Sequence, residues 1–232
     1  MITHSKLINR WAKPAIFILA LLPFAALLWD GYTDALGAEP IEAISQRSGD
    51  WILRFLLLTL TITPLRRISG WNELVRLRRM LGLFAFFYAC LHFLNYLVLD
   101  QGLDLAFIME DVIEHKYVLI GFSSFLLLIP LALTSTNAMI RRLGGRRWQK
   151  LHRLIYLIAI GGVVHYYWLV KSDIREPLLY AVLLAILLGY RWYHHWSRTM
   201  SGAAQNGQIN PTLQNIVGAN SFAHKGNPVK DN

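Results

Sequence analysis

The sequence has almost no cysteine and little charge. Cys90 is the single cysteine among 232 residues, which excludes an internal disulfide and any CxxC metal or redox pair. Charged residues make up 16% of the chain, against about 25% in a typical soluble domain. Hydrophobic residues make up 55%, with a mean hydropathy of +0.37. Long apolar runs with this little charge exclude a water-soluble core as the body of the chain. Acids are the scarcer sign, 14 against 23 basic residues, for a formal charge of +9. That excess does not indicate nucleic acid, because the basic residues stand in short blocks between apolar runs, the pattern of membrane topology. There is no GxGxxG or GKS/T phosphate loop and no internal repeat. The first apolar stretch has no convincing small-x-small cleavage site and reads as a retained anchor.

A membrane-spanning helix takes roughly 20 apolar residues. Six candidates follow one another: Pro14 to Trp29, Trp51 to Pro64, Met80 to Leu99, Tyr117 to Thr136, Leu151 to Val170 and Pro177 to Tyr193. Arg54 near the end of the second can snorkel, and Pro130 is a kink point in the fourth. The fold class expected is an all-α membrane protein, a six-helix bundle over residues 1–199. Residues 200–232, rich in Gly, Asn, Gln and Ala, read as a polar disordered tail.

The connecting segments alternate in charge. Lys6, Arg10 and Lys13 precede the first span. Asp30, Asp34, Glu39, Glu42 and Asp50 dominate the first loop, and Arg66, Arg67, Arg76, Arg78 and Arg79 fill the second. Asp100, Asp104, Glu110, Asp111 and Glu114 dominate the third, and Arg141, Arg142, Arg146, Arg147 and Lys150 fill the fourth. Under the positive-inside rule the basic loops and both termini are cytoplasmic, and the acidic loops face outward.

The organising stretch is Arg146 to Val170, expected as one membrane-length helix carrying His152 and His165. The third span carries His92. Imidazoles inside apolar helices are uncommon and usually functional. His92 stands 12 residues beyond Met80 and His165 stands 14 beyond Leu151, which is about 18 Å and about 21 Å along parallel helices. Two imidazoles at one depth suit a haem ligated from both faces. Gly82, Ala85, Ala89, His92 and Tyr96 share one helical face, and Ala159, Gly161 and Gly162 thin the other helix before His165. Small residues of this kind serve either a flat cofactor or close helix packing.

His152 is about 20 Å from His165 along a continuous helix. That separation suits a second haem, but the ideal helix turns the two side chains apart and the third span places Arg78 and Arg79 at its level. A propionate, flavin or quinol contact and a plain interfacial histidine are the other readings. His115 reads as a solvated loop residue, and His194 and His195 as part of an aromatic interfacial belt. His4 and His224 carry no signal. The arginines, Arg78, Arg79 and Arg147 among them, are candidate contacts for haem propionate or flavin phosphate, although topology alone accounts for their charge. A zinc site lacks a third ligand at the right depth.

A membrane haem without a substrate domain moves electrons. The chain resembles the haem-binding membrane subunit of the bacterial protein-methionine-sulfoxide reductase system, in the ferric-reductase-like transmembrane superfamily. The resemblance covers about Ala12 to Trp196. It rests on TPLRR (Thr63 to Arg67), RRMLGLFAFFYACLHFLNYLVLD (Arg78 to Asp100) and PLALTSTNAMIRRLGGRRWQKLHRLIYLIAIGGVVHYYW (Pro130 to Trp168). It implies a b-type cytochrome of the inner membrane, with one haem b or two, and association with FMN. It implies a periplasmic molybdopterin reductase subunit as electron acceptor, and quinol or a cytoplasmic flavin reductase as donor. His92, His152 and His165 match the family's functional histidines. Many members read Arg-Pro-Tyr before the fourth span, where this chain reads His115-Lys116-Tyr117. Two alternatives from other classes are a stand-alone ferric reductase, which would carry a fused flavin and nicotinamide domain, and a transporter, which would carry broken paired helices.

Overall fold

Long runs of Leu, Ile, Phe and Ala with no internal charge satisfy their backbone polar groups only within helices. A computed structural model describes residues 11–170, 173–194, 196, 197 and 200. Among them the regular structure is helical. In chain order the helices are α1 (Lys13–Tyr32), α2 (Pro40–Ser69), α3 (Val75–Leu94), α4 (Leu105–Glu114), α5 (Lys116–Leu133), α6 (Asn137–Leu143), α7 (Gly145–His152) and α8 (Leu154–Leu169). A further helix, α9, covers 175–194. The chain divides into two units, Met1–Leu187 and Leu188–Asn232. The tail expected from residue 200 lies outside the described residues, apart from Met200.

Among the described residues three helical stretches are long and apolar enough to cross a membrane: Lys13–Tyr32, Asn72–Asp100 and Lys116–Leu133. The second expected span is the middle of a longer helix. α2 has 30 residues and begins at Pro40, where a missing N–H costs nothing. It ends at Gly70, whose φ of 73° places it in the left-handed region while its N–H bonds Arg66 O. A short 3-10 turn, Asn72–Leu74, then reverses the chain into α3.

Two helix pairs carry most of the packing, α2 with α3 and α5 with α8. In the first pair, Phe55 stacks on Phe84 and on Tyr88, each at 5.5 Å between ring centres, and Trp51 stacks on Tyr88 at 6.2 Å. The small-residue face of α3 turns toward α2. Gly82 lies against Thr59, and Ala85 and Ala89 are buried. These small side chains therefore let α2 approach α3. In the second pair, Gly161 lies against the Ser124 hydroxyl, which would have to turn aside for a Cβ there.

α1 is tied to α3 through Tyr88. The Tyr88 hydroxyl accepts from Phe24 N at 3.1 Å and donates to Ala20 O at 2.8 Å. An unbroken helix would pair those two backbone groups with each other. Pro23 stands inside this turn of α1 and disfavours regular helix there. A side chain inserted into the helical ladder is a recognised source of a bend.

The expected continuous helix from Arg146 to Val170 is corrected by the structure. It breaks at Arg153, between α7 and α8. Arg153 N bonds Lys150 O and Tyr156 N bonds Arg153 O, so three-residue closures replace the four-residue ones on both sides. α8 alone has 16 residues.

Arg54 is anchored within the protein. It donates to Asp50 Oδ2 and to the Tyr180 hydroxyl, both at 3.2 Å, and its guanidinium lies 4.8 Å from the centre of the Trp51 ring.

Candidate functional site

The α2–α3 pair holds His92. The His92 ring meets α2 where Ser45, Ser48 and Gly49 succeed one another. Its Nδ1 lies 3.0 Å from Ser45 O and 3.2 Å from Ser48 Oγ. A backbone carbonyl only accepts, so Nδ1 carries the proton. The Ser48 hydroxyl gives its own proton to Ile44 O at 2.6 Å, leaving a lone pair for the imidazole. Directly after His92 the helix widens into a π-helical turn, Asn95–Asp100. Such turns occur often at functional sites. Asn95 is buried there, and its Nδ2 donates to Ser45 Oγ at 2.6 Å and to Ile41 O at 3.1 Å.

The α5–α8 pair holds His165 in the same manner. Its Nδ1 lies 2.7 Å from Tyr117 O, in the first turn of α5. Again the carbonyl requires the proton on Nδ1. Gly121 makes the approach feasible, since a Cβ there would sit 2.7 Å from Nδ1 and 2.8 Å from Cε1 of His165.

The two rings meet between the pairs. Their centres are 6.2 Å apart and their planes are perpendicular. In both, the Nδ1 proton is fixed by a carbonyl, and the Nε2 lone pair is left without a protein partner among the described residues. This is the tautomer a metal-binding imidazole needs, with an acceptor behind the ring that fixes its orientation and raises its basicity. The residues present fit a haem: His92 and His165 would hold it through their Nε2 atoms, and it would supply one-electron chemistry there.

His152 is elsewhere, on α7, and its surroundings differ. Nδ1 lies 3.1 Å from the carbonyl of Trp148 in its own helix, and Nε2 lies 3.4 Å from Ser135 Oγ. The Trp148 indole stacks on the imidazole at 3.9 Å and donates to Thr134 O at 2.9 Å. Nδ1 thus donates within its own helix, while Nε2 lies at the long end of hydrogen-bond distance from a hydroxyl whose proton goes to Leu131 O at 2.7 Å. The charges of Arg78 and Arg79 reach this ring. Arg79 donates to Asn137 Oδ1 at 2.7 Å, and Arg147 is exposed on α7.

Four features of the site region were not read from the sequence. Ser45 and Ser48 serve His92, the Tyr117 carbonyl serves His165, and Gly121 makes room for it. The fourth is Arg67, at the basic end of α2, whose Nε and Nη1 are buried without a partner among the described residues. Buried cationic donors without an acceptor are costly. His115, expected to be solvated, pairs with Asp111 at 2.8 Å, and Asp111 also accepts from the Tyr96 hydroxyl at 2.7 Å. His194 packs against Tyr190 at 4.4 Å between ring centres. His4, His195 and His224 lie outside the described residues. No cluster of three His, Cys, Asp or Glu side chains with metal-binding geometry occurs among the described residues.

A helical membrane protein is the class that the comparisons return. Residues 48–163 match the family described as "ferric reductase like transmembrane component". That segment covers α2 from Ser48 onward, all of α3 to α7 and α8 as far as Val163, and ends two residues before His165. Among curated relatives, the protein-methionine-sulfoxide reductase heme-binding subunit MsrQ of Herminiimonas arsenicoxydans is 52% identical over 197 residues, covering 84% of this chain and 90% of its own. The subunit of the same name from Azospira oryzae is 55% identical over 183 residues, 77% of each chain. That from Ralstonia nicotianae is 48% identical over 202 residues, 86% of this chain and 93% of its own. The chain belongs to the family of protein-methionine-sulfoxide reductase heme-binding subunits. No solved structure gives a significant match.

Proposed function

We propose that this protein is the electron-transfer subunit of a methionine-sulfoxide reductase system, a b-type cytochrome with His92 and His165 as axial ligands. The observation that carries the reading is the shared state of the two rings: each Nδ1–H is bound by a carbonyl and each Nε2 is left for a metal, at a ring separation of 6.2 Å. Bound haem supplies one-electron chemistry; the protein supplies ligands, orientation and an apolar surround. Ser45, Ser48 and Tyr117 hold the imidazoles, and Gly121 admits one of them.

The donor is quinol or a cytoplasmic flavin-dependent reductase, and the acceptor is a periplasmic molybdopterin subunit that reduces methionine sulfoxide in oxidised envelope proteins. Six inner-membrane spans place both termini in the cytoplasm, supported by the alternation of basic and acidic connections. α2, α8 and α9 supply the second, fifth and sixth spans. Arg67, Arg78, Arg79 and Arg147 gather on the basic side, where an FMN phosphate or a haem propionate finds cations. Among the described residues no imidazole faces His152 as His92 faces His165, and the Trp148 indole stacks on it instead, so one haem is expected.

A reduced-minus-oxidised optical spectrum of the purified protein, with haem stoichiometry, tests this reading. A low-spin b-type signal at one haem per chain is expected. A fully folded protein that takes up no haem when supplied with it would overturn the proposal.

A further inference from the structure

Between α1 and α3 lies a groove of about 790 Å³ that has no part in the histidine site. At one end it is lined by Lys13, Arg76 and Arg79, and among the described residues no acidic side chain lines it. The rest of its wall is apolar apart from Asn137, with Phe17 and Leu83 half exposed. The two helices run in the same direction, so their basic ends coincide. The groove stops where Tyr88 joins α3 to Ala20 and Phe24 of α1. It is therefore a cleft with a cationic mouth and a long apolar floor, open along its side.

We propose that this groove is a binding site for one anionic phospholipid. The phosphodiester lies among Lys13, Arg76 and Arg79, and the acyl chains lie along Phe17, Leu83 and Phe87. Charge complementarity selects the occupant. A phosphate accepts charge-assisted hydrogen bonds from all three cations, and the apolar floor gives the chains a surface that a free inorganic anion cannot use. Each cation near the membrane surface contributes roughly 1 kcal/mol toward an anionic lipid. A zwitterionic headgroup places its own ammonium among these three cations and loses that gain. None of the groove residues is His92 or His165 or one of the groups that orient them, and of the cations proposed for a flavin phosphate or haem propionate it shares Arg79 alone.

The test uses delipidated, haem-loaded full-length protein titrated with dioctanoyl phosphatidylglycerol, with bound lipid counted by native mass spectrometry. One phosphatidylglycerol per chain is expected to bind first, at least about tenfold more tightly than dioctanoyl phosphatidylcholine. Lys13→Gln combined with Arg76→Gln is expected to weaken that binding roughly 10- to 30-fold. Leu83→Trp, which fills the floor and leaves the charges, is expected to lower lipid retention while haem content and spectrum stay unchanged. Equal affinity for the two lipids overturns the proposal. So does displacement of the lipid by inorganic phosphate or by a short-chain quinone, or undiminished binding in both variants. If the double variant does not fold, the headgroup comparison on the unaltered protein and Leu83→Trp decide the matter.

Discussion

Gly121 lies so close to His165 that a single added carbon would stand 2.7 Å from Nδ1 of the imidazole. The hydrogen bond from that nitrogen to Tyr117 O, at 2.7 Å, leaves the ring no room to retreat without losing its carbonyl. Gly121→Ala is therefore expected to cost about 1–3 kcal/mol by overpacking and to loosen haem. Gly82→Ala is the matched control, since its Cβ would meet only Thr59 Cγ2 at 3.9 Å. Thermal melting and haem retention through gel filtration compare the two. Equal behaviour of both variants would show that the ring can move aside.

Removing either facing imidazole is expected to abolish the haem signal. His92→Ala and His165→Ala should each reduce haem content to background in reduced-minus-oxidised spectra, while circular dichroism retains the helical signal. Unchanged haem content and ligation in either variant would remove that residue as a ligand.

His152→Ala is expected to keep the main haem. Its ring stacks on Trp148 and its Nδ1 bonds the Trp148 carbonyl, so the loss falls on the packing of α7. The predicted result is a lower melting temperature with an unaltered low-spin spectrum. Haem loss equal to that in His92→Ala would make His152 a principal ligand.

Ser48→Ala tests the tautomer argument. The Ser48 hydroxyl shares the His92 Nδ1 proton with Ser45 O. An acceptor behind a ligating imidazole raises its basicity and favours the oxidised metal. Its loss should raise the haem midpoint potential without altering haem content. A potentiometric titration reads this directly, and a downward shift would contradict the assigned proton position.

Tyr88→Phe removes the hydroxyl between Ala20 and Phe24. Those two groups can then bond each other, so the cost should fall near the low end for a buried hydrogen bond, about 1 kcal/mol. A melting shift of that order is expected, with the spectrum unchanged. A loss of several kcal/mol would mean that the bend at Pro23 cannot relax.

The sequence displays some of these features plainly and others not at all. His92 and His165 stand out because a polar ring in an apolar helix is costly, and their common depth follows from counting residues along two helices. The groups that orient them are harder to see. Any residue at position 45 or 117 offers the same carbonyl, so those contacts leave no mark in side-chain identity. Gly121 looks like any other glycine in an apolar run until the structure shows what lies beneath it. The break at Arg153 is hidden for a similar reason, because the apolar spacing around Leu151, Leu154 and Ile155 is compatible with an unbroken helix. The small face of α3 was visible as a pattern, but a packing surface and a cofactor surface share the same spelling.

His92 takes its supporting carbonyl from α2, the helix against which α3 packs, and His165 takes its own from α5, the partner of α8. Each half of the site is thus finished inside its own hairpin before the other is present. During synthesis, α2 and α3 emerge together and can orient His92 while α8 is still within the ribosome. A haem held as proposed would therefore join two pieces whose imidazoles are each already oriented, and would need to rearrange neither.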